Sequence, residues 1–540
     1  MTHRRSLPAP LVLAVCLLTL VPSRAVAQDE PGGAPRASGR NGPWFGVPLP
    51  PAVGAEPAVL VGDRAPRPVH VPPGSPEGPE FAAATIRADL DAIVAISKES
   101  RATREIGSGQ QWGRVSGFPS GAKAIDWAAD QFRKAGIADV RVQPIAQDAR
   151  SAFWLPLSWE VKLLGDPAFG PGTSDVILQS AIPVPPTDIP GGTLTAPLVY
   201  VGAANASIVD HIDVKGKIAV QLTVPQGHML FERGVVTSRA QALMKRGAVA
   251  VFNLIRLPGN ELGRDFSNCG GPCINLGGRD GSFVETVLDR AAEAGQSGRI
   301  RAQISLTTRT FTGLSAKNAV AVIPGTRSQD TVIIDAHADA WFDGAGDNAD
   351  GYAVMIALAR HFARPANRPD RTLVFVASAG HHTPGINGPR AFVSANPDLA
   401  RNAVLMVNVE HVAQRNFSAA RTTSTDGYRQ AVADSGEAPI YAGVVNRSPF
   451  LNRLFEQGVV DYGVNFISQP SNMQSGETGG FAGLGGAALV TVMQAPPLYH
   501  TTGEVLDVIS TPGLERMARF LAFFVREVST APVGDLRTTR

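Results

Sequence analysis

Apolar runs rich in Val, Ile and Leu alternate with segments of helical periodicity in the C-terminal half of the chain. The apolar runs predict strands at 319–323, 332–336, 372–377, 403–408 and 488–493. Apolar residues at helical spacing predict helices at 350–363, 388–395, 449–459 and 513–527. Because strands alternate with helices, the pattern predicts an α/β fold in which a mostly parallel central sheet has helices on both faces.

The region before these elements divides into two parts. Residues 79–179 contain two helical patterns and the start of a strand near Val140. Residues 180–312 contain three short strand patterns and one helix, which predict a small mixed α/β unit. We therefore expect residues 79–179 and 313–530 to form one domain, with the unit at 180–312 inserted in it and a tail at 531–540.

The N-terminal residues have the pattern of an export signal. Arg4 and Arg5 precede an apolar run, and small residues suited to cleavage follow it, so residues 1–27 are predicted to be a secretory signal peptide. Residues 28–78 are rich in Pro, Gly and Ala and are predicted to form a disordered linker. No other segment has the length and apolarity of a membrane span. The mature protein is expected in the periplasm or outside the cell.

Composition narrows the range of partners. The 540 residues are 44% hydrophobic and 18% charged, as in an ordinary globular protein. Basic and acidic residues nearly balance, 49 against 47, which gives no electrostatic footprint for nucleic acid. Cys269 and Cys273 can close a small disulfide loop in an oxidising compartment or remain two free thiols. Nothing in the sequence indicates the oligomeric state.

Histidines gather at the predicted strand ends. Five of the ten histidines in the chain follow predicted strands of the α/β domain. They are His337, His381, His382, His411 and His500. Because open α/β sheets bind ligands beyond the carboxyl ends of their strands, we expect these side chains to share one site.

Carboxylates accompany the histidines at the same strand ends. Asp347 lies in a Gly-rich loop that opens a helix, ten residues after His337, and Glu410 precedes His411. Imidazole nitrogens and carboxylate oxygens are ligands that zinc accepts. Asp339, two residues after His337, is placed to orient its imidazole from behind. The pattern therefore predicts a metal site.

Two motifs resemble the secreted di-zinc exopeptidases, the group of bacterial leucyl-type aminopeptidases and glutamate carboxypeptidase. The first is His-x-Asp-x₄-Gly-Ala-x-Asp-Asn-x₂-Gly at residues 337–351, and the second is Leu-Tyr-His-Thr-Thr at 498–502. Residues 180–312 resemble the protease-associated domain that many members contain. The resemblance implies that His337 binds one metal, that Asp347 bridges two metals and that His500 binds the second. It also implies that Asp339 orients His337.

The chain departs from this family at three positions. His381 and His382 stand where the family has a general-base glutamate and a glutamate ligand, and Glu410 stands where it has an aspartate ligand. His382 and Glu410 are expected to serve as ligands of one or two zinc ions. His381 is either the general base, since an ordinary imidazole titrates near neutrality, or a packed loop residue. His411 is either a spare ligand or structural.

These observations predict a secreted zinc peptidase, with a metal-activated water as nucleophile and a peptide or small amide as substrate. An exopeptidase of the aminopeptidase type is the leading interpretation. The alternative is a catalytically degenerate, exopeptidase-like binding protein, because the glutamate pair is absent. The chain has no Gly-x-Ser-x-Gly nucleophile elbow, which argues against a serine hydrolase. The Gly-rich segment 475–486 either lines the substrate pocket or forms a loop without contacts.

Overall fold

The computed structural model describes residues 42–50, 60–61, 67–223, 233–256, 259–264, 268–415, 417–421, 428–432, 437–445, 448–468, 476–494 and 498–536. The predicted signal peptide lies outside these residues, as do three parts of the predicted linker and the last four residues of the predicted tail. Of the helices that the structure describes, none combines the length and the apolarity needed to cross a bilayer.

An eight-stranded central sheet carries the C-terminal half of the fold. Its strands, numbered in chain order, are β1 Asp139–Ala146, β2 Ser315–Ile323, β3 Thr331–His337, β4 Thr372–Ser378, β5 Ala403–Glu410, β6 Ile440–Val445, β7 Phe466–Ser468 and β8 Ala488–Gln494. Their spatial order is β7-β6-β8-β5-β3-β4-β2-β1. The four central neighbours, β8, β5, β3 and β4, run parallel, whereas β6, β2 and β1 pair antiparallel. The α/β prediction is confirmed, although the predicted strand at 319–323 joins an antiparallel flank.

Helices cover both faces of this sheet. They are Ala83–Ala102, Pro119–Lys134, Asp350–Ala363, Gly388–Ala395, Pro397–Arg401, Pro449–Val460, Thr511–Thr530 and Val533–Leu536. Successive β3 side chains point to opposite faces, so Val332 and Ile334 join the core under one helical layer and Ile333 joins the core under the other. Each such side chain contributes roughly 1.5–3 kcal/mol when it is fully buried. The sheet is therefore a rigid support whose strand ends are fixed.

The register brings the ends of the parallel strands to one level. His337 at the end of β3 pairs with Ser378 of β4, and Asp335 pairs with Asn408 of β5. Glu410, two residues after Asn408, pairs with Met493 of β8. The residues that follow these strands consequently start from the same edge of the sheet.

A second eight-stranded sheet follows β1 in the chain. In spatial order its strands are Val176–Ile177, Phe153–Leu164, Arg301–Phe311, Thr193–Gly202, Ile218–Thr223, Ala250–Ile255, Cys273–Leu276 and Ile182–Pro183. Its helices are Ala206–Val209, Arg233–Lys245 and Gly278–Glu293. The sheet begins before residue 180, the predicted start of the insertion, because Phe153–Leu164 pairs along its whole length with Arg301–Phe311. Cys269 and Cys273 form a disulfide, which confirms one of the two alternatives for these residues.

Parts of the predicted linker pack against the molecule. Trp44 is only 1% exposed and contacts Phe169 and Phe283, with ring centroids 5.5 and 5.9 Å apart. The Arg516 guanidinium donates a 2.8 Å hydrogen bond to the Arg67 carbonyl. The prediction of disorder is wrong for these described parts, because a large aromatic side chain buries enough apolar surface to order a Pro/Gly-rich segment.

Two small sheets complete the described structure. Strand Leu60–Val61 pairs with Tyr428–Val432, which also pairs with Phe417–Arg421. Ala340–Trp341, in the segment after β3, pairs antiparallel with Gly113–Arg114. The second pairing fixes the main chain just beyond His337, where the predicted site begins.

Candidate metal centre

The Asp347 carboxylate lies at the centre of four imidazoles. Its Oδ1 is 3.2 Å from His337 Nε2 and 2.9 Å from His411 Nε2. Its Oδ2 is 3.2 Å from His382 Nε2 and 2.9 Å from His500 Nε2. The five side chains are at most 5% exposed. Two ring nitrogens therefore face each oxygen, so the carboxylate can be shared by two neighbouring ion positions.

Each member of this cluster comes from a different segment at the carboxyl edge of the central sheet. His337 is the last residue of β3, and Asp347 lies in the loop before helix Asp350–Ala363. His382 follows β4, His411 follows β5 directly, and His500 follows β8. The side chains that are distant in sequence thus meet because four parallel strands end together.

Glu410 supplies a further carboxylate beside this cluster. Its Oε1 lies 3.8 Å from His337 Nε2 and 3.6 Å from His411 Nε2. Its Oε2 accepts a 2.6 Å hydrogen bond from Asn408 Nδ2, which fixes the carboxylate plane. His337, Glu410 and His411 bring one ligand atom each within 4.8 Å of one another, and so do His337, Asp347 and His382. His411, the spare candidate of the sequence, thus lies among the other ligand atoms.

Asp339 orients His337 through its main chain. The Asp339 carbonyl accepts a 3.0 Å hydrogen bond from His337 Nδ1, whereas the Asp339 carboxylate is 3.6 Å from that nitrogen. The carboxylate instead accepts hydrogen bonds from the backbone N–H groups of His381 and His382, at 3.3 and 3.1 Å. Because Nδ1 donates to a carbonyl, the neutral His337 ring presents its Nε2 lone pair to the cluster.

His381 differs from the other four imidazoles in its partner and its exposure. Its Nδ1 is 2.9 Å from Oε1 of Glu477, and its ring stacks on His337 with centroids 4.1 Å apart. Its side chain is 18% exposed, more than any imidazole around Asp347. Glu477 was not predicted as a site residue; the one sequence signal was the Gly-rich segment 475–486, which contains it. That segment makes contacts at the site instead of forming an isolated loop.

The electrostatics of the cluster favour positive charge between its carboxylates. Burial acts against ionisation of Asp347, but the neighbouring imidazoles outweigh burial and hold its pKa well below the usual value. Burial also acts against protonation of His337 and His411, yet the surrounding carboxylates raise the pKa of both rings. Positive charge is thus stabilised here, either as protons on these two rings or as a divalent cation.

The two histidines after β4 have opposite pKa shifts. Burial lowers the pKa of His382 to about 4, so this ring is neutral at pH 7 and its nitrogen is free to coordinate. Burial and the nearby His337 act against protonation of His381, but Glu477 and Glu410 outweigh them and raise its pKa to about 9. The pair therefore divides into a neutral, ligand-like ring and a ring that binds its proton more tightly than an ordinary imidazole does.

The polar atoms of the cluster fit a zinc ion. His337 Nε2, His382 Nε2 and Asp347 Oδ2 are buried and make no well-aligned hydrogen bond among the residues that the structure describes, although both ring nitrogens lie 3.2 Å from an Asp347 oxygen. An unpaired buried polar atom costs roughly 1–3 kcal/mol, which a bound cation would offset. Imidazole nitrogen and carboxylate oxygen are the ligand types of catalytic zinc sites.

Residues behind the cluster, none of them predicted, hold the ligand loops. Buried Arg114 donates hydrogen bonds to the carbonyls of Ala338, Asp343 and Gly344, at 2.9, 3.0 and 3.1 Å. The Asp350 carboxylate accepts from the backbone N–H groups that follow His411, at 2.9 and 2.7 Å. These contacts fix the loops that carry Asp347 and His411.

Residues 318–525 match the model of Peptidase family M28. The chain carries a peptidase family M28 domain. The predicted likeness to zinc exopeptidases is therefore confirmed at the level of the family. The matched segment contains most of β2, all of β3 to β8 and every side chain around Asp347, so it is the part of the chain that holds the cluster.

Curated relatives match the chain over short stretches. A vacuolar membrane protease of Eremothecium gossypii is 26% identical over 205 residues, 37% of this chain and 18% of the relative. A probable glutamate carboxypeptidase of Arthroderma benhamiae is 34% identical over 98 residues, 17% of this chain and 13% of the relative. The chain thus spans less than a fifth of the length of these two relatives.

Solved structures share the fold over most of the chain. A peptidase M28 precursor from Shewanella amazonensis aligns with a TM-score of 0.60 and 17% identity, over 85% of this chain and 98% of that chain. The zinc aminopeptidase BSAP from Bacillus subtilis aligns with a TM-score of 0.54 and 18% identity over the same shares of the two chains. At these identities the likeness establishes the fold alone.

Proposed function

We propose that this chain is an exported, zinc-dependent peptidase that releases residues from the end of a peptide, with aminopeptidase activity as the first candidate. The observation that carries the proposal is the placement of two imidazole nitrogens on each oxygen of the buried Asp347 carboxylate. The family of residues 318–525 supports it. The proposed substrates are peptides or small amides, and nucleic acid is not a proposed partner.

The ligand atoms form two groups around Asp347. His337, Asp347 and Glu410, with His411 beside them, would hold one zinc ion. Asp347, His382 and His500 would hold a second. Zinc bound in such a site supplies Lewis acidity, which polarises a carbonyl and lowers the pKa of water.

The remaining polar residues of the site position the ligands or accept a proton. Asp339 fixes the His337 ring through its carbonyl and the His381-His382 backbone through its carboxylate. His381 is the proposed proton acceptor, because it stacks on a ligand histidine and is the most exposed ring of the group. A general base of this kind contributes typically 10²–10⁴-fold to a rate.

The test is turnover of a panel of aminoacyl p-nitroanilides and short peptides by the zinc-loaded chain. We expect release of residues with a free α-amino group, loss of turnover on chelation, and recovery with zinc. N-acetylated versions of the same substrates separate an exopeptidase from an endopeptidase. Equal turnover of the blocked substrates would contradict the exopeptidase assignment, and no zinc-dependent turnover at all would contradict the peptidase assignment.

A second candidate function is peptide binding without hydrolysis. It is favoured by one observation, that imidazoles stand at both positions after β4 where the resemblance implies glutamates. The double substitution His381→Glu and His382→Glu separates the two candidates. Activity that rises from zero in this variant would support a degenerate site, whereas activity that falls from a measurable wild-type level would support a working variant.

Export is proposed on independent grounds. The pattern of residues 1–27 supports a secretory signal, and the disulfide between Cys269 and Cys273 is typical of an oxidising compartment. Fractionation of cells that express the full chain tests this part, because an exported protein loses its N-terminal segment. Retention of that segment on a protein found in the cytoplasm would contradict export.

A further inference from the structure

We propose that Glu477 is a positioning residue for His381: its carboxylate holds the ring proton on Nδ1 and so leaves Nε2 as the basic nitrogen. The inference rests on the proposed peptidase function and extends it to a residue that no motif marks. Glu477 belongs to the short helix Gly476–Gly479, which precedes β8. His381 and Glu477 are separated by 96 positions in the sequence.

The hydrogen bond between the two side chains defines the tautomer. Glu477 Oε1 lies 2.9 Å from His381 Nδ1, and both side chains are mostly buried. An ionised carboxylate can only accept, so Nδ1 must carry the proton of the neutral ring. The lone pair of the ring is then on Nε2, which is the arrangement that a general base requires.

Neighbouring groups prevent the ring from turning away. One face of His381 stacks on His337 at an interplanar angle of 10°, and His382 packs against it edge-on with centroids 4.6 Å apart. The backbone N–H of His381 donates to Asp339 Oδ1 at 3.3 Å. With the ring held on these sides, the contact with Glu477 decides which nitrogen is protonated.

In the proposed hydrolysis, His381 accepts one proton and releases the same proton within a single turnover. A water proton passes to Nε2 of His381 as the water oxygen forms its bond to the substrate carbonyl carbon. The carbon–nitrogen bond then breaks, and the same proton passes from Nε2 to the leaving amine, which returns the ring to its neutral form. The Glu477 carboxylate stabilises the transient imidazolium through the contact at Nδ1, as a buried carboxylate does behind other catalytic histidines.

A different use of the same residues is coordination of an ion. His337, His381 and Glu477 bring one ligand atom each within 4.8 Å of one another. The hydrogen-bond distance between Nδ1 and Oε1 argues against it, because these two atoms already face each other. Zinc content of Glu477 variants distinguishes the two uses.

The kinetic test is the isosteric substitution Glu477→Gln, alone and combined with His381→Gln. We expect kcat to fall by about 100-fold, within the usual range for a general base, while KM, zinc content and Tm stay at wild-type values. In the His381→Gln background the same substitution should cost nothing further, because Glu477 then has no base to position. An equal loss in both backgrounds, or a loss of zinc in Glu477→Gln, would overturn the proposal.

A matched control exists elsewhere in the chain. Glu80 Oε1 lies 2.6 Å from His361 Nδ1, and this buried glutamate–histidine pair lies at the end of helix Asp350–Ala363 that is remote from the Asp347 loop. Glu80→Gln removes the same kind of contact and should leave kcat per folded molecule unchanged. A comparable fall in kcat in Glu80→Gln would overturn a specific role for Glu477.

The tautomer itself is measured without turnover, by ¹⁵N NMR of the imidazoles in the zinc-free and zinc-loaded chain. At a pH where the ring is neutral, the His381 signals, assigned by their loss in His381→Gln, should show Nδ1 protonated in the wild type, and the Nδ1–H fraction should drop in Glu477→Leu. An unchanged tautomer in Glu477→Leu would overturn the inference. Since this readout needs no substrate, an inactive wild-type enzyme would contradict the proposed function and leave the tautomer result standing.

Discussion

A single carboxylate organises the site at the scale of residues. Asp347 is buried and has two imidazole nitrogens at each oxygen, so both of its oxygens are available to cations and neither is used by a hydrogen-bonded amide of the described structure. Asparagine at this position would keep the shape and remove both the charge and one ligand oxygen. The position therefore requires an acid, whatever the neighbouring ligands are.

Cation binding should release protons and strengthen with rising pH. The pKa values of His337 and His411 are raised by the surrounding carboxylates, so below those values protons occupy the ring nitrogens that would bind a cation. Raising the pH removes this competition, and zinc affinity should rise until both rings are neutral and then level off. Calorimetric titration in two buffers of different ionisation enthalpy counts the released protons.

The same titration has a matched control in Asp343→Asn. This variant alters a carboxylate in the same loop that contacts Trp112 instead of the cluster, and it should behave as the wild type. Zinc binding that releases no protons between pH 6 and 8, a range around the ordinary imidazole pKa of about 6.5, would contradict the charge distribution described for the site.

At this scale the sequence predicted the ligand types better than the contacts behind them. The spacing of His337 and Asp347 and the strand-end positions of His382, Glu410 and His500 indicated residues that the structure brings together. Glu477 was missed because its partner is distant in the chain and no periodic pattern links the two. The sequence also could not predict which group of Asp339 contacts His337. Two residues that are two positions apart can meet through either the carbonyl or the carboxylate, and the structure shows the carbonyl.

At the scale of elements, helix Asp350–Ala363 depends on a close approach to the end of β5. A Cβ at Gly351 would lie 2.4 Å from Asn348 Oδ1 and 2.5 Å from the Val409 carbonyl oxygen. The same Asn348 side chain donates to Val409 at 2.9 Å and accepts from the His411 N–H at 3.1 Å. The absence of a side chain at Gly351 thus lets the helix and the two ligand loops meet.

Gly351→Ala should destabilise the protein and weaken zinc binding together. Forcing a methyl group into this contact typically costs about 1–3 kcal/mol, and the strain falls on the segments that carry Asp347 and His411. Denaturant unfolding and zinc affinity measure the two effects. Gly534→Ala is the matched control, because its Cβ would meet nothing within 4 Å. If Gly351→Ala were as stable as this control, the close approach would not be needed.

Strands could be predicted from the sequence where a single hydrophobic pattern runs along the whole strand. The parallel strands β3, β4, β5 and β8 are continuous apolar runs, because helices bury both of their faces. Phe153–Leu164 was missed, since its buried residues alternate irregularly with partly exposed ones and its partner Arg301–Phe311 lies more than a hundred residues away. The local hydrophobic periodicity of a segment does not indicate a partner strand that is so distant in the sequence.

At the scale of the whole molecule, the second sheet reaches the metal centre of the first. The backbone N–H of Leu262 donates to Thr502 Oγ1, and the Thr502 N–H donates to the Leu262 carbonyl, both at 3.0 Å. The Arg264 N–H donates to the carbonyl of His500, also at 3.0 Å. A loop of the second sheet therefore fixes the main chain on which His500 stands.

Thr502→Val should weaken zinc binding without unfolding the protein. The substitution leaves the buried Leu262 N–H without its acceptor, at a cost of roughly 1–3 kcal/mol, and loosens the segment that presents His500. Zinc affinity and Tm are the measurements. Thr187→Val is the control, because the Thr187 hydroxyl bonds the Val184 carbonyl and the Cys273 N–H within the second sheet alone. Equal zinc affinity in the two variants would mean that the second sheet does not support the site.

The most direct measurement is X-ray diffraction at the zinc absorption edge from crystals of the zinc-loaded chain. We expect an anomalous peak about 2.0–2.2 Å from an Asp347 carboxylate oxygen and from Nε2 of at least two of the four surrounding imidazoles, a ligand distance typical of zinc. Crystals of verified zinc content that show no peak within ligand distance of Asp347, or show peaks only at histidines outside the cluster, would contradict it.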